Sequence, residues 1–142
     1  MKLLPLMDRI GDTRAWVDRH SGWISDLTGN VFAFVKFYGV FSRTGAQIGW
    51  FGDGYIQDRL GCVVLFISGK RIEHLVMPSP RRIPRPPRLL QLPADHPTLR
   101  WLLWPPRKKP LWGDFATFYD GLRPSGTAVG NLREFQERAG GR

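Results

Sequence analysis

The chain has 142 residues, a formal net charge of +9, 42% hydrophobic and 13% aromatic residues, and a single cysteine. That length suits one domain, and six Trp with nine Phe supply enough apolar surface to exclude global disorder. One cysteine excludes a disulfide framework and a thiolate zinc site, which points to a reducing, cytoplasmic setting.

The excess charge is uneven. Residues 1–77 carry 9 basic and 7 acidic side chains, residues 78–110 carry 8 and 1, and residues 111–142 carry 4 and 4. Attraction to a polyanion therefore belongs to the middle segment.

In chain order, residues 1–12 hold Leu3, Leu4, Leu6, Met7 and Ile10 without a clean period, and Pro5 opposes a long helix. They form an edge strand or a helical turn; Asp8 and Arg9 cut the apolar run short of a secretory h-region. Thr13 to Asp18 reads as a strand.

From Gly22 a pattern begins that is written twice. Gly22-Trp23-Ile24-Ser25-Asp26-Leu27-Thr28-Gly29 returns 32 residues later as Gly54-Tyr55-Ile56-Gln57-Asp58-Arg59-Leu60-Gly61, and each copy leads into a Val/Phe-rich run. Asp followed three residues on by Gly fits a type I turn with a left-handed glycine, closing a β-hairpin with a bulge. This assigns Asp26, Gly29, Asp58 and Gly61 to turn geometry. Strands are predicted over 30–37, 38–41, 47–51 and 62–68, with a last one over 71–77. The fold class is mainly β: a small antiparallel meander or barrel built from two duplicated hairpins over residues 13–77.

Pro78 opens a different regime. Ten prolines between 78 and 110 remove amide donors and favour polyproline II or coil, giving a basic arm over 78–110. Its apolar residues, notably Leu99 to Trp104, are predicted to dock on the β unit or on a partner. Residues 111–142 form an aromatic tail with short helices: Asp114 is an N-cap ahead of Phe115, Phe118 and Tyr119, and Asn131 with Glu134 has the form of a capping box.

The hairpin Gly54-Tyr55-Ile56-Gln57-Asp58-Arg59-Leu60-Gly61, the basic proline-rich stretch after it and Leu111-Trp112-Gly113-Asp114-Phe115-Ala116-Thr117-Phe118 together resemble a group of small bacterial proteins of unknown function. The resemblance covers roughly residues 45–120. It implies the order of modules and carries no activity.

No catalytic, cofactor-binding or metal-ligating set emerges. Cys62 with His74 is the one nucleophile and base pairing that can be drawn, and it reads as a structural thiol beside a surface imidazole. Gly69-Lys70 lacks the rest of a phosphate loop.

The sequence thus points to a non-enzymatic binding or adaptor protein. Arg81, Pro84 and Pro87 have the R-x-x-P-x-x-P spacing that aromatic grooves read on a polyproline II helix, and Leu99, Trp101 and Trp104 offer an apolar patch. The alternative is single-stranded RNA or DNA, with Arg81, Arg82, Arg85, Arg88, Arg100, Arg107, Lys108 and Lys109 on phosphates and Trp101, Trp104 and Trp112 stacked on bases. The lack of a usable amphipathic helix weighs against a membrane target.

Overall fold

The computed structural model describes residues 2–89, 96–97, 99, 102–105 and 111–122. Among them are eight strands and one helix: β1 (Leu3–Met7), β2 (Thr13–Asp18), β3 (Trp23–Ser25), β4 (Val31–Lys36), β5 (Gly39–Ser42), β6 (Gln47–Gly52), β7 (Tyr55–Asp58), β8 (Val63–Ile67) and α1 (Phe115–Asp120). Each strand runs antiparallel to the next, and β8 returns to β1, so the meander closes into a barrel.

Closure follows from one turn design used four times. Asp8, Asp26, Ser42 and Asp58 open tight turns whose fourth residues, Gly11, Gly29, Gly45 and Gly61, have φ of 93°, 94°, 93° and 88°. In each, the glycine amide donates to the carbonyl of the opening residue, at 3.0, 3.2, 2.9 and 3.0 Å. The opening side chain accepts from the amide four residues on: Asp12 to Asp8 at 3.1 Å, Asn30 to Asp26 at 3.0 Å, Ala46 to Ser42 at 3.3 Å and Cys62 to Asp58 at 3.0 Å. Left-handed backbone beside the bulge is what glycine accepts without a Cβ clash. The 32-residue repeat is therefore two shorter units, and there are four hairpins where the sequence suggested two. Ser42 in place of a carboxylate, and a longer loop between Asp18 and Gly22, conceal the shorter period.

Opposed pairs from the four hairpins, Leu6 with Ala15, Ile24 with Ala33, Val40 with Gly49 and Ile56 with Leu65, form the buried middle layer. An eight-stranded barrel is just wide enough for side chains to fill, so three of these pairs set a small residue or none against an aliphatic one. Gly49 permits nothing larger: an added Cβ would collide with the Gln57 carbonyl oxygen. At the end bearing the Asp/Ser-to-Gly turns, Phe32 and Val64 join this core together with Phe115, Phe118 and Tyr119 of α1, which caps the barrel.

Two boundaries differ from the sequence reading. The barrel runs from Leu3 to Ile67, because residues 3–7 supply the strand that closes it. Residues 71–77 form no strand: β8 already has β7 on one side and β1 on the other, so Ile72, Leu75 and Met77 cover the outer face at Met7, Tyr55 and Phe66 instead. α1 begins after Asp114 as predicted, with the Thr117 hydroxyl donating to the Asp114 carboxylate at 2.8 Å. The helix proposed from Asn131 lies outside the described residues.

Candidate binding surfaces: the basic arm and the barrel mouth

Trp16, Phe34, Trp50 and Phe66 occupy the same place in the second strand of each hairpin and are all buried, although they lie outside the middle layer. Such a girdle of outward aromatics needs a cover, and the segment after β8 supplies much of it.

The described residues of this segment meet the barrel in order around its circumference. The Arg81 amide donates to the Gly11 carbonyl at 3.2 Å, and its guanidinium lies 3.4 Å from Asp12. His96 stacks on Phe34 at 4.3 Å and meets Trp23 edge-on at 4.8 Å. Leu99 and Leu102 pack against the cluster of Trp23, Val31, Phe34 and Phe41. The Trp50 indole donates to the Leu103 carbonyl at 2.9 Å, while the Leu103 amide donates to Gln47 at 2.8 Å. Trp104 stacks on Tyr38 at 5.8 Å.

The segment then reaches the seam. β1 pairs with β8 only at Leu6–Ile67 and Met7–Phe66. Lower on β8, Val63 donates to the Leu111 carbonyl at 3.1 Å and accepts from the Gly113 amide at 2.7 Å, so residues 111–113 lie parallel along the edge that β1 leaves open. Gly113 suits this approach, since a Cβ there would lie 2.8 Å from Val64.

These contacts sort the candidate residues. Arg81, Arg82, Pro84, Arg85 and Arg88 are exposed, and Pro87 is half-buried. Leu99 is engaged by the barrel, and Trp104 rests on Tyr38 while remaining 81% exposed. Trp112 packs against the cluster containing Phe66 and donates to the Val76 carbonyl at 3.3 Å, so it is not presented for base stacking. Arg100, Trp101, Arg107, Lys108 and Lys109 lie outside the described residues. Cys62 and His74 make no hydrogen bond to each other, and among the described residues no group of three or more His, Cys, Asp or Glu could hold a metal ion.

Asp26, Gly29, Asp58 and Gly61 are turn formers, as their spacing indicated. Asp26 does more: its second carboxylate oxygen accepts the Tyr119 hydroxyl at 2.9 Å, tying α1 to the barrel end. Burial pushes its pKa up, but the Thr28 and Tyr119 hydroxyls and the amides of Asn30 and Thr28 outweigh this and hold it below the usual aspartate value.

Four like hairpins around one closed barrel are now in view, and a family model described as "4-fold beta flower protein" matches residues 4–120. The chain belongs to the 4-fold β-flower family. No curated protein and no solved structure gave a significant match.

The β-flower barrel has two unlike ends. One is closed by α1; the other opens into a cavity of about 570 Å³ that the sequence did not disclose. Its inner wall is Leu4, Val17, Val35, Phe51 and Ile67, the layer above the buried middle layer. Asp18, Arg19, His20, Ser21 and Lys36 stand around it, with Phe37 on the lip at φ 57° and 77% exposed. The Asp18 carboxylate accepts the Ser21 hydroxyl at 2.7 Å and the His20 amide at 3.1 Å. Burial raises its pKa, but these bonds and others to the backbone prevail and keep it low. Val17, Val35, Phe51 and Ile67 are equivalent positions of the four hairpins. That shared position is a signal the sequence holds, readable once the shorter period is known.

Proposed function

We propose that the protein is a non-enzymatic binding or adaptor module whose basic proline-rich segment, residues 81–88, makes the contact. The observation that carries this is the exposure of Arg81, Arg82, Pro84, Arg85 and Arg88 on a segment whose start is pinned to the first hairpin at Gly11 and Asp12. An extended, proline-stiffened segment held against a rigid barrel loses little further entropy when a partner grips it. Its chemistry suits an aromatic groove flanked by carboxylates, which reads Arg81, Pro84 and Pro87 at every third residue.

Single-stranded nucleic acid is the second reading, favoured by the same four arginines and by the exposed ring of Trp104.

The test uses the full chain and point substitutions, since His96, Leu99, Leu102 and Leu103 of the arm cover the barrel. Binding to a panel of isolated polyproline-reading domains is measured alongside anisotropy of a labelled single-stranded oligonucleotide at low and high salt. The adaptor reading expects a domain that binds the wild type and loses affinity about tenfold or more with Pro84→Ala. Oligonucleotide binding that weakens steeply with salt and with Arg82→Glu/Arg85→Glu, but ignores Pro84→Ala, replaces it with the nucleic-acid reading. Neither binding would reject both.

A further inference from the structure

The open mouth lies apart from the arginine-rich segment. Its apolar wall stops after one layer, because Leu6, Ile24, Val40 and Ile56 beneath it have at most 1% exposure. One layer is two residues along a strand, roughly 7 Å. That depth admits a short alkyl chain or a single ring, and not a long acyl chain, while the volume of about 570 Å³ falls in the range of small-molecule sites.

The rim supplies the sign. Arg19 and Lys36 line the cavity, and neither has a carboxylate partner among the described residues. The Lys36 ammonium stands 6.0 Å from the Phe37 ring. Asp18, the acidic residue among those lining the cavity, accepts bonds on both oxygens from Ser21 and His20 within its own loop. Two cations on a rim whose carboxylate is already engaged, above an apolar wall, complement an anionic head on an apolar body.

We propose that the barrel mouth binds a small organic carboxylate with a short apolar body, its head held by Arg19 and Lys36 and its body packed on Val17, Val35 and Phe51. Neither cation belongs to the buried core, so both can be changed without opening it.

The experiment titrates octanoate, with octylamine as the opposite-charge control, into ¹⁵N-labelled full-length protein and follows backbone amide shifts. Saturable octanoate shifts confined to the loops around Arg19, Lys36 and Phe51 are expected, with octylamine at least tenfold weaker. Arg19→Glu/Lys36→Glu, checked for an unchanged amide fingerprint elsewhere, is expected to weaken octanoate about tenfold or more. Val35→Phe, which fills the cavity and leaves both cations, is a second arm and should also abolish saturation. Absence of octanoate shifts at millimolar concentration, equal affinity for octylamine, shifts mapping away from the mouth, or affinity unchanged in both variants would each overturn the proposal.

Discussion

At the scale of single residues, the Asp/Ser-to-Gly turns carry the clearest energetics. Asp58 accepts the Leu60 amide at 2.9 Å and the Cys62 amide at 3.0 Å on one carboxylate oxygen. Asp58→Ala is expected to lower unfolding free energy by about 1 to 2 kcal/mol, measured by urea titration, and Asp58→Asn by less because the amide oxygen still accepts. Gly29→Ala forces a Cβ into left-handed backbone at φ 94° and should cost about 1 to 2 kcal/mol, with an unchanged fold by circular dichroism.

Asp26 adds a pH dependence. Its folded pKa lies below the unfolded value, so its contribution is fully present above the ordinary aspartate pKa of about 3.9. It is lost as pH falls through the lower, folded value. Thermal scans should show Asp26→Asn less stable than wild type at neutral pH, with the gap closing in strong acid. A gap that persists there would show that something other than the carboxylate charge is involved.

At the scale of elements, the strands explain each other but not their cover. Middle-layer pairs are buried by barrel closure, whereas Trp23, Phe34 and Phe41 have partly buried neighbours that come from the arm, Leu99 and Leu102 among them. Leu102→Ala should therefore loosen the arm before the barrel, giving early proteolytic cleavage after residue 78 while the barrel amides stay protected. The tail is held at Val63 by two backbone hydrogen bonds, a geometry that Gly113 permits by lacking a Cβ. Gly113→Val should release residues 111–122, quench the Tyr119 to Asp26 bond and expose the Phe32 end of the barrel, seen as increased dye binding by apolar surface.

At the scale of the whole molecule, closure is unequal around the ring. β1 meets β2 over five residue pairs but β8 over two, and residues 111–113 occupy the rest of that edge. The seam is the expected site of first opening, so native-state hydrogen exchange should be fastest among strand amides at Met7 and Phe66, while the Ile67 amide, bonded to the Gly54 carbonyl beside β7, stays protected longer. The α1-capped end and the open mouth then divide the work. One secures the barrel, and the other leaves an apolar wall below cationic loops.

The hairpin chemistry was legible residue by residue. Asp26 to Gly29 and Asp58 to Gly61 are local motifs whose geometry follows from a short acceptor side chain and a residue without Cβ, and the N-cap at Asp114 is equally local. The mainly β class followed from the same signals with the Val/Phe-rich runs between them. What depended on the tertiary structure was everything set by closure. Whether residues 3–7 or 71–77 completed the sheet could not be read from alternation, because both present apolar residues and only the geometry of β8 decides which edge is taken. Leu99, Leu102 and Trp104, open in sequence to a partner or to the barrel, meet the barrel at an outer aromatic surface that exists only once four hairpins stand in a ring. The mouth is likewise a property of the ring: Val17, Val35, Phe51 and Ile67 are far apart along the chain, and strand pairing brings them around one cavity.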